Sequence, residues 1–296
     1  MEYVILNNGV RMPKVGFGVY QIPKQDTERC VLDAIKAGYR LFDTAQSYFN
    51  EEELGRAIAR SGIARKEFFI VTKVWLDNYG YAKCKKSVMD SMRRLKMGYI
   101  DLVLLHQPYG DYYEAYRALE DLYQQGYIKA IGVSNFAPDR LADICLFDRT
   151  VVPQVNQIEA NVLNSQEEAH KNMQEFGVQM QAWAPFGEGK NNMFNNSVLV
   201  NIASAHNKTV AQVILRFMIQ RDIPVLCKTT HFERMQENIA IFDFELTEDE
   251  MNKIYALDEG KSLFFNHDDP KTVKWFDKTV KSVRENMPGE KGEEEL

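Results

Sequence analysis

A chain of 296 residues with 45% hydrophobic side chains is long for an ordinary domain and suits a single α/β barrel, which needs ~250 residues. The net charge of −6 argues against nucleic acid as the main partner, and no run of ~18 apolar residues is present to span a membrane. The start, Met1-Glu2-Tyr3-Val4, lacks the charge and apolar run of a signal peptide, and Cys30, Cys84, Cys145 and Cys227 are scattered without metal spacing. These features lead to the expectation of a cytoplasmic protein with reduced thiols and no metal centre.

The first stretch reads as two short strands, 3–6 and 10–12, joined by Asn7-Asn8-Gly9, a hairpin able to plug one end of a barrel. Val15-Gly16-Phe17-Gly18-Val19-Tyr20 reads as an apolar strand. Its GxG lacks the third glycine of a dinucleotide fingerprint, so the glycines are read as relieving crowding on a barrel strand. The chain then alternates. Strands are expected at 40–42, 68–72, 100–105, 128–133, 154–158, 178–182 and 223–227, and helices at 27–37, 51–60, 83–95, 113–125, 138–146, from Ser165 to Gly177, from Thr209 to 220, and at 232–241. Asn50 with Glu53, Ser165 with Glu168, Thr209 with Gln212 and Thr247 with Glu250 have the spacing of helix N-caps. Short strands rich in Val and Ile, buried on both faces and recurring about every 25–30 residues, have the rhythm of a (β/α)8 TIM barrel. The polar residues between Trp183 and Thr209 read as a long loop serving as a lid. Thr247 starts an added helix, and a charged amphipathic stretch follows Phe264-Phe265. One domain is expected over 1–296, with disorder over 289–296.

Polar or aromatic residues fall at most strand ends: Asp43, Lys73, His106, Ser134-Asn135, Gln157, Trp183 and Lys228. Singly, each has an ordinary reading as a turn former, a solvated charge or a structural hydrogen-bonding group. A closed parallel barrel brings all these ends to one face, where barrel chemistry resides. Tyr48, on the loop after the Asp43 strand, has an ordinary pKa of about 10 and is a poor acid near neutrality. An ammonium beside it, from Lys73, is expected to lower that pKa, with Asp43 as counter-charge. His106 can hydrogen-bond an oxygen on which charge develops. An acid and an oxyanion partner without a Ser or Cys nucleophile or metal ligands fit carbonyl reduction, with hydride arriving from a cofactor.

Asp43-Thr-Ala-x-x-Tyr48-x-Asn-Glu, Val71-Thr-Lys-Val-Trp75, Leu104-Leu-His-Gln-Pro108, Ile131-Gly-Val-Ser-Asn-Phe136 and Gln154-Val-Asn-Gln-Ile-Glu159 together resemble the aldo-keto reductases, most closely the bacterial 2,5-diketogluconate reductase-like branch. The resemblance runs from about residue 6 to 265. It implies Asp43, Tyr48, Lys73 and His106 as a catalytic tetrad. It implies Ser134, Asn135 and Gln157 as carboxamide ligands of a nicotinamide, with Trp183 on its ring and Ala184 and Phe186 alongside. It assigns Lys228, Thr229 and Arg234 to the 2′-phosphate of NADPH/NADP+ and Glu237 and Asn238 to the adenine, at a loop-and-helix phosphate site common in barrels. Tyr20, Trp75, Gln107 and the loops near Phe186 and Phe264 are expected to shape the pocket for a small carbonyl substrate.

Some positions depart from the family pattern. Trp183 stands where Tyr is common and keeps a flat aromatic face. Cys227-Lys228-Thr229 replaces Pro-Lys-Ser, and Gln107 replaces a frequent Trp, making that wall more polar. Tyr79-x-x-x-Lys83 spells the active-site motif of short-chain dehydrogenases, but no Gly-rich phosphate loop accompanies it. The expectation is a monomeric NADPH-dependent reductase of aldehydes and ketones. The rival is an NADPH-binding sensor or subunit with incidental turnover.

Overall fold

Alternation of apolar residues around a tight turn gives the first element. The strands β1 (Tyr3–Ile5) and β2 (Arg11–Pro13) pair antiparallel with Val4 opposite Met12, and Gly9 turns the chain at φ 83. This is a computed structural model, and it describes residues 1–147 and 149–286. Eight parallel strands follow: β3 (Val15–Gly18), β4 (Leu41–Asp43), β5 (Phe69–Val74), β6 (Leu102–Leu105), β7 (Ile131–Ser134), β8 (Val155–Glu159), β9 (Gln179–Trp183) and β10 (Val225–Cys227). Each pairs with the next and β10 pairs with β3, so the sheet closes. Closure demands close approach at β3. A Cβ on Gly16 would sit 2.3 Å from Leu41 Cδ2, which bears out the reading of that glycine as relieving crowding.

Inward side chains Leu41, Phe69, Val71, Leu102, Leu104, Val155 and Leu226 pack against Val4, Leu6 and Met12 of the hairpin. The hairpin is therefore the expected plug. Burying each of its three apolar side chains contributes roughly 1.5–3 kcal/mol. This apolar floor leaves the opposite end, where the strands terminate, for polar chemistry. The outer ring comprises α1 (Lys24–Ala37), α2 (Glu51–Arg60), α3 (Tyr81–Leu95), α4 (Tyr112–Gln124), α5 (Pro138–Leu146), α6 (Glu167–Glu175), α7 (Ser197–Ala205), α8 (Val210–Gln220) and α9 (Phe232–Ile239), and α10 (Glu248–Tyr255) is added after it. All four cysteines are buried and unpaired, and burial pushes the Cys145 thiol up to about 11.

Two of the four expected caps form as capping boxes, at Thr209 with Gln212 and at Thr247 with Glu250. The other two do not. Asn50 precedes α2 but caps no N–H. Its amide instead accepts from Thr44 Oγ1 at 2.7 Å and donates to the Val19 carbonyl at 3.0 Å. Ser165 donates its hydroxyl to the Asp258 carboxylate, a charge-assisted bond stronger than one to a backbone amide, and Gln166 is the N-cap of α6. The stretch read as one long polar loop is partly ordered: tight turns over Gly187–Asn195 lead into α7, where Asn196 Oδ1 accepts from the Val198 and Leu199 amides. Leu199 and Ile202 bury its inner face.

The chain divides into two compact units, Met1–Leu263 and a shorter one from Phe264. The second unit holds α11 (Pro270–Asn286), with Phe276 edge-on to Phe265 and stacked on His267. The disorder expected over 289–296 lies outside the described residues. Among the described residues no helix is long and apolar enough to cross a membrane, and no group of three or more His, Cys, Asp or Glu is placed to hold a metal ion.

Candidate active site

Asp43 is the last residue of β4, and Lys73 lies within β5, a strand that runs two residues further than its apolar pattern indicated. Both are buried, with Nζ 2.5 Å from Asp43 Oδ1. Lys73 also donates to the Thr44 carbonyl at 3.0 Å, and Asp43 Oδ2 accepts from Gln157 Nε2 at 2.9 Å. Burial lowers the Lys73 pKa, and the Asp43 charge opposes that.

Tyr48 comes from a short turn, Gln46–Tyr48, and lies above the pair, its ring centroid 5.0 Å from Lys73 Nζ. Its hydroxyl hydrogen-bonds no described side chain. His106 follows β6 and meets Tyr48 edge-on at 5.7 Å between ring centroids. The four residues from β4, the β4–α2 loop, β5 and the end of β6 thus converge, as expected. The electrostatics differ from expectation. The Tyr48 pKa is raised well above its ordinary value, first by burial and then by the Asp43 charge. Burial and the Asp43 carboxylate, rather than the Lys73 ammonium, set the direction. Tyr48 keeps part of its surface open toward the polar end of the barrel. His106 is held well below its usual pKa by burial and by the Lys73 charge, so it is neutral at pH 7. Its Nδ1 is buried without a hydrogen-bond partner among the described residues.

Tyr20 lies 4.9 Å from Tyr48 between centroids, and Trp75 is edge-on to His106 at 5.0 Å. Gln107 is buried, and its backbone is clamped by Tyr79, whose hydroxyl donates to the Gln107 carbonyl at 2.8 Å and accepts from its amide at 3.0 Å. Tyr79 of the misleading YxxxK stretch is thus a buried strut.

Ser134, Asn135, Gln157 and Trp183 also meet. Ser134 Oγ donates to the Gln157 carbonyl at 2.8 Å. Asn135 Nδ2 donates to the His106 carbonyl at 3.1 Å, while its Oδ1 accepts from Trp183 Nε1 at 2.9 Å. Gln157 lies in mid-strand rather than at the strand end. Phe49, Asn135 and Ala184 adopt left-handed backbone at φ 57, 64 and 49. Such strain costs roughly 1–2 kcal/mol per residue, and here it gathers beside Tyr48, Ser134 and Trp183. Phe186 pairs with Phe194 at 5.7 Å. After β10, Lys228 and Arg234 are exposed, flank the N-terminus of α9, and form no ion pair with a described residue. Thr229 is buried and its hydroxyl accepts from the His231 amide at 3.2 Å. Asn238 is buried on α9, and Glu237 accepts from Thr209 Oγ1 at 2.7 Å, tying α9 to α8.

Sequence reasoning missed the supports. Gln46 Oε1 accepts from the Trp75 amide and its Nε2 donates to Ser87 and Ser91, fixing the turn that bears Tyr48. Glu159, buried, accepts from the Leu263 amide at 2.9 Å and from Ser262. Gln181, fully buried, accepts from Gln157 Nε2 at 2.9 Å. The alternation Gln179-Met180-Gln181 in a strand otherwise read as apolar was the available signal.

The model of the Aldo/keto reductase family matches residues 14–259, which takes in the whole barrel. The chain belongs to the aldo/keto reductase family. Relatives of this aldo/keto reductase include the glyoxal reductase of Bacillus subtilis, 42% identical over 270 residues, 90% of this chain and 97% of that protein. An aldo-keto reductase from a Medee basin deep-sea metagenome library has a crystal structure that superposes with a TM-score of 0.88 at 38% identity, over 90% of this chain and 98% of that one. The Bombyx mori aldo-keto reductase, solved in complex with NADP, gives 0.85 at 30% identity over 92% of this chain and 96% of its own.

Proposed function

We propose that this aldo/keto reductase reduces small aldehydes and ketones with NADPH, and that Tyr48, His106, Lys73 and Asp43 form its catalytic group. The observation that carries the reading is the convergence of the unpartnered Tyr48 hydroxyl, a neutral His106 and a buried Lys73–Asp43 pair at the polar end of the barrel.

The residues present fit the cofactor. Trp183 offers a flat face, and the Gln157 carbonyl oxygen is available as an acceptor because its amide N–H groups are committed elsewhere. Lys228 and Arg234 are exposed cations at a helix N-terminus that form no ion pair among the described residues, a setting suited to a phosphate dianion. Ser134, Asn135, Ala184, Phe186, Thr229, Glu237 and Asn238 complete the proposed cofactor contacts.

NADPH, when bound, supplies hydride to the carbonyl carbon. Tyr48 holds the proton for the carbonyl oxygen, and its raised pKa keeps that proton in place until charge develops there. Neutral His106 donates a hydrogen bond to the same oxygen and orients it. Lys73, under the Tyr48 ring, stabilises the phenolate left behind, and Asp43 opposes the burial that would strip Lys73 of its charge. Tyr20, Trp75 and Gln107 bound the substrate. The polar Gln107 wall and the similarity to a glyoxal reductase favour small, oxygen-rich carbonyls such as dicarbonyls.

Placement in the 2,5-diketogluconate reductase-like branch rests on the motifs alone. A monomer without nucleic-acid or membrane partners and a cytoplasmic location belong to the same proposal. The net charge of −6 and the four unpaired cysteines support it. The test is NADPH absorbance loss over a panel of aldehydes, ketoacids and diketones, with Tyr48→Phe as control. Tyr48→Phe should abolish reduction and leave NADPH binding nearly intact. Near-full activity in that variant refutes the acid assignment, and NADPH binding with no turnover of any substrate favours the sensor.

A further inference from the structure

We infer that Gln181 is a positioning residue. It fixes which way the Gln157 amide faces, and so which atom the site offers to a nicotinamide carboxamide. The inference rests on the NADPH reading above. Gln181 lies in β9 with no exposed surface and stands in direct register with Gln157 of β8.

The polarity of the network starts at Asp43. A carboxylate paired with Lys73 only accepts hydrogen bonds, so the 2.9 Å contact to Asp43 Oδ2 comes from Gln157 Nε2. The second N–H of that amide then needs an acceptor, and Gln181 Oε1 stands 2.9 Å away. With both N–H groups committed, Gln157 Oε1 faces away from both partners and is left to accept from a ligand amide. The same logic fixes Gln181 itself. Its Oε1 must face Gln157, which leaves its Nε2 buried without a hydrogen-bond partner among the described residues. An apolar side chain here would avoid that desolvation cost. The compensating gain is the acceptor oxygen. Without it the Gln157 amide could rotate, and a ligand would have to restore its orientation on binding.

Gln181→Met keeps an unbranched side chain and removes the acceptor. NADPH is titrated against the purified protein and read by quenching of tryptophan fluorescence, with steady-state kinetics and thermal melts in parallel. The expected result is a Kd for NADPH about tenfold higher, the size of one lost buried amide hydrogen bond. The KM for the carbonyl substrate should not change. Gln181→Glu, whose carboxyl oxygen still accepts from Gln157, should recover most of the affinity. An unchanged Kd in folded Q181M overturns the inference. Equal weakening in Q181M and Q181E also overturns it, because that pattern marks packing. Should Q181M fail to fold, Gln181→Asn, which withdraws the oxygen by one methylene, replaces it with the same expectation. Failure of the unaltered protein to bind NADPH is a separate result: it removes the cofactor reading, and this inference falls with it.

Discussion

Removing one partner of the Lys73–Asp43 pair should cost more stability than removing both. The two side chains are 1% and 5% exposed, with Nζ 2.5 Å from Oδ1. Lys73→Met leaves the Asp43 carboxylate in the barrel with only the Gln157 amide as donor. Breaking a buried pair typically costs about 3–5 kcal/mol, and the surviving amide bond places this variant at the lower end. Asp43→Leu leaves an ammonium with only the Thr44 carbonyl, and about 3–5 kcal/mol is expected. The double variant holds no buried charge and should lie within about 1 kcal/mol of the unaltered protein. The coupling is then several kcal/mol, against at most about 1 kcal/mol for an exposed pair. Urea unfolding followed by circular dichroism, with the slopes compared as well as the midpoints, measures all four proteins. Single variants that each cost under about 1 kcal/mol and add in the double would refute the argument, because the pair would then be solvated. All three variants should lose reduction, so the stable double variant separates the chemical role from the structural one.

Other outcomes follow from the same geometry. Lys228→Ala and Arg234→Ala should each raise the KM for NADPH about tenfold or more, the worth of a charge-assisted hydrogen bond, and leave that for NADH unchanged. Equal effects on both cofactors would remove the 2′-phosphate assignment. His106 has a folded-state pKa below its unfolded value of about 6.5, so the unfolded chain binds the proton first as pH falls. Its contribution to stability is full above that value and is lost as pH falls toward the folded pKa. His106→Asn should therefore lessen the drop in unfolding free energy between about pH 7 and about pH 5. An identical drop in the variant would show that the imidazole is not desolvated.

Much of this was written in one dimension. Eight apolar segments of strand length, separated by helices of which several stop at or next to a glycine, sufficed to specify a closed parallel barrel, because strand burial on both faces and right-handed crossovers leave few alternatives. The same closure told which residues would meet. Asp43, Lys73 and His106 are far apart in the chain, yet each stands at or near the end of a parallel strand. Thr209 and Thr247 were readable as caps because a capping box is completed within four residues.

What the tertiary structure decided is what depends on groups distant in sequence. Asn50 and Ser165 have cap spacing but were drawn off by Val19, Thr44 and Asp258. No local rule could foresee those partners. The pKa of Tyr48 moved against expectation because it is set by how deeply the ring is buried and how close the Asp43 carboxylate lies. Both are properties of packing. The hydrogen-bond chain Asp43–Gln157–Gln181 joins β4, β8 and β9 across the barrel lumen, and its polarity is fixed by which group can only accept. Sequence supplies the donors and acceptors of such a network. Only closure of the barrel sets the distances that make one orientation of each amide the right one.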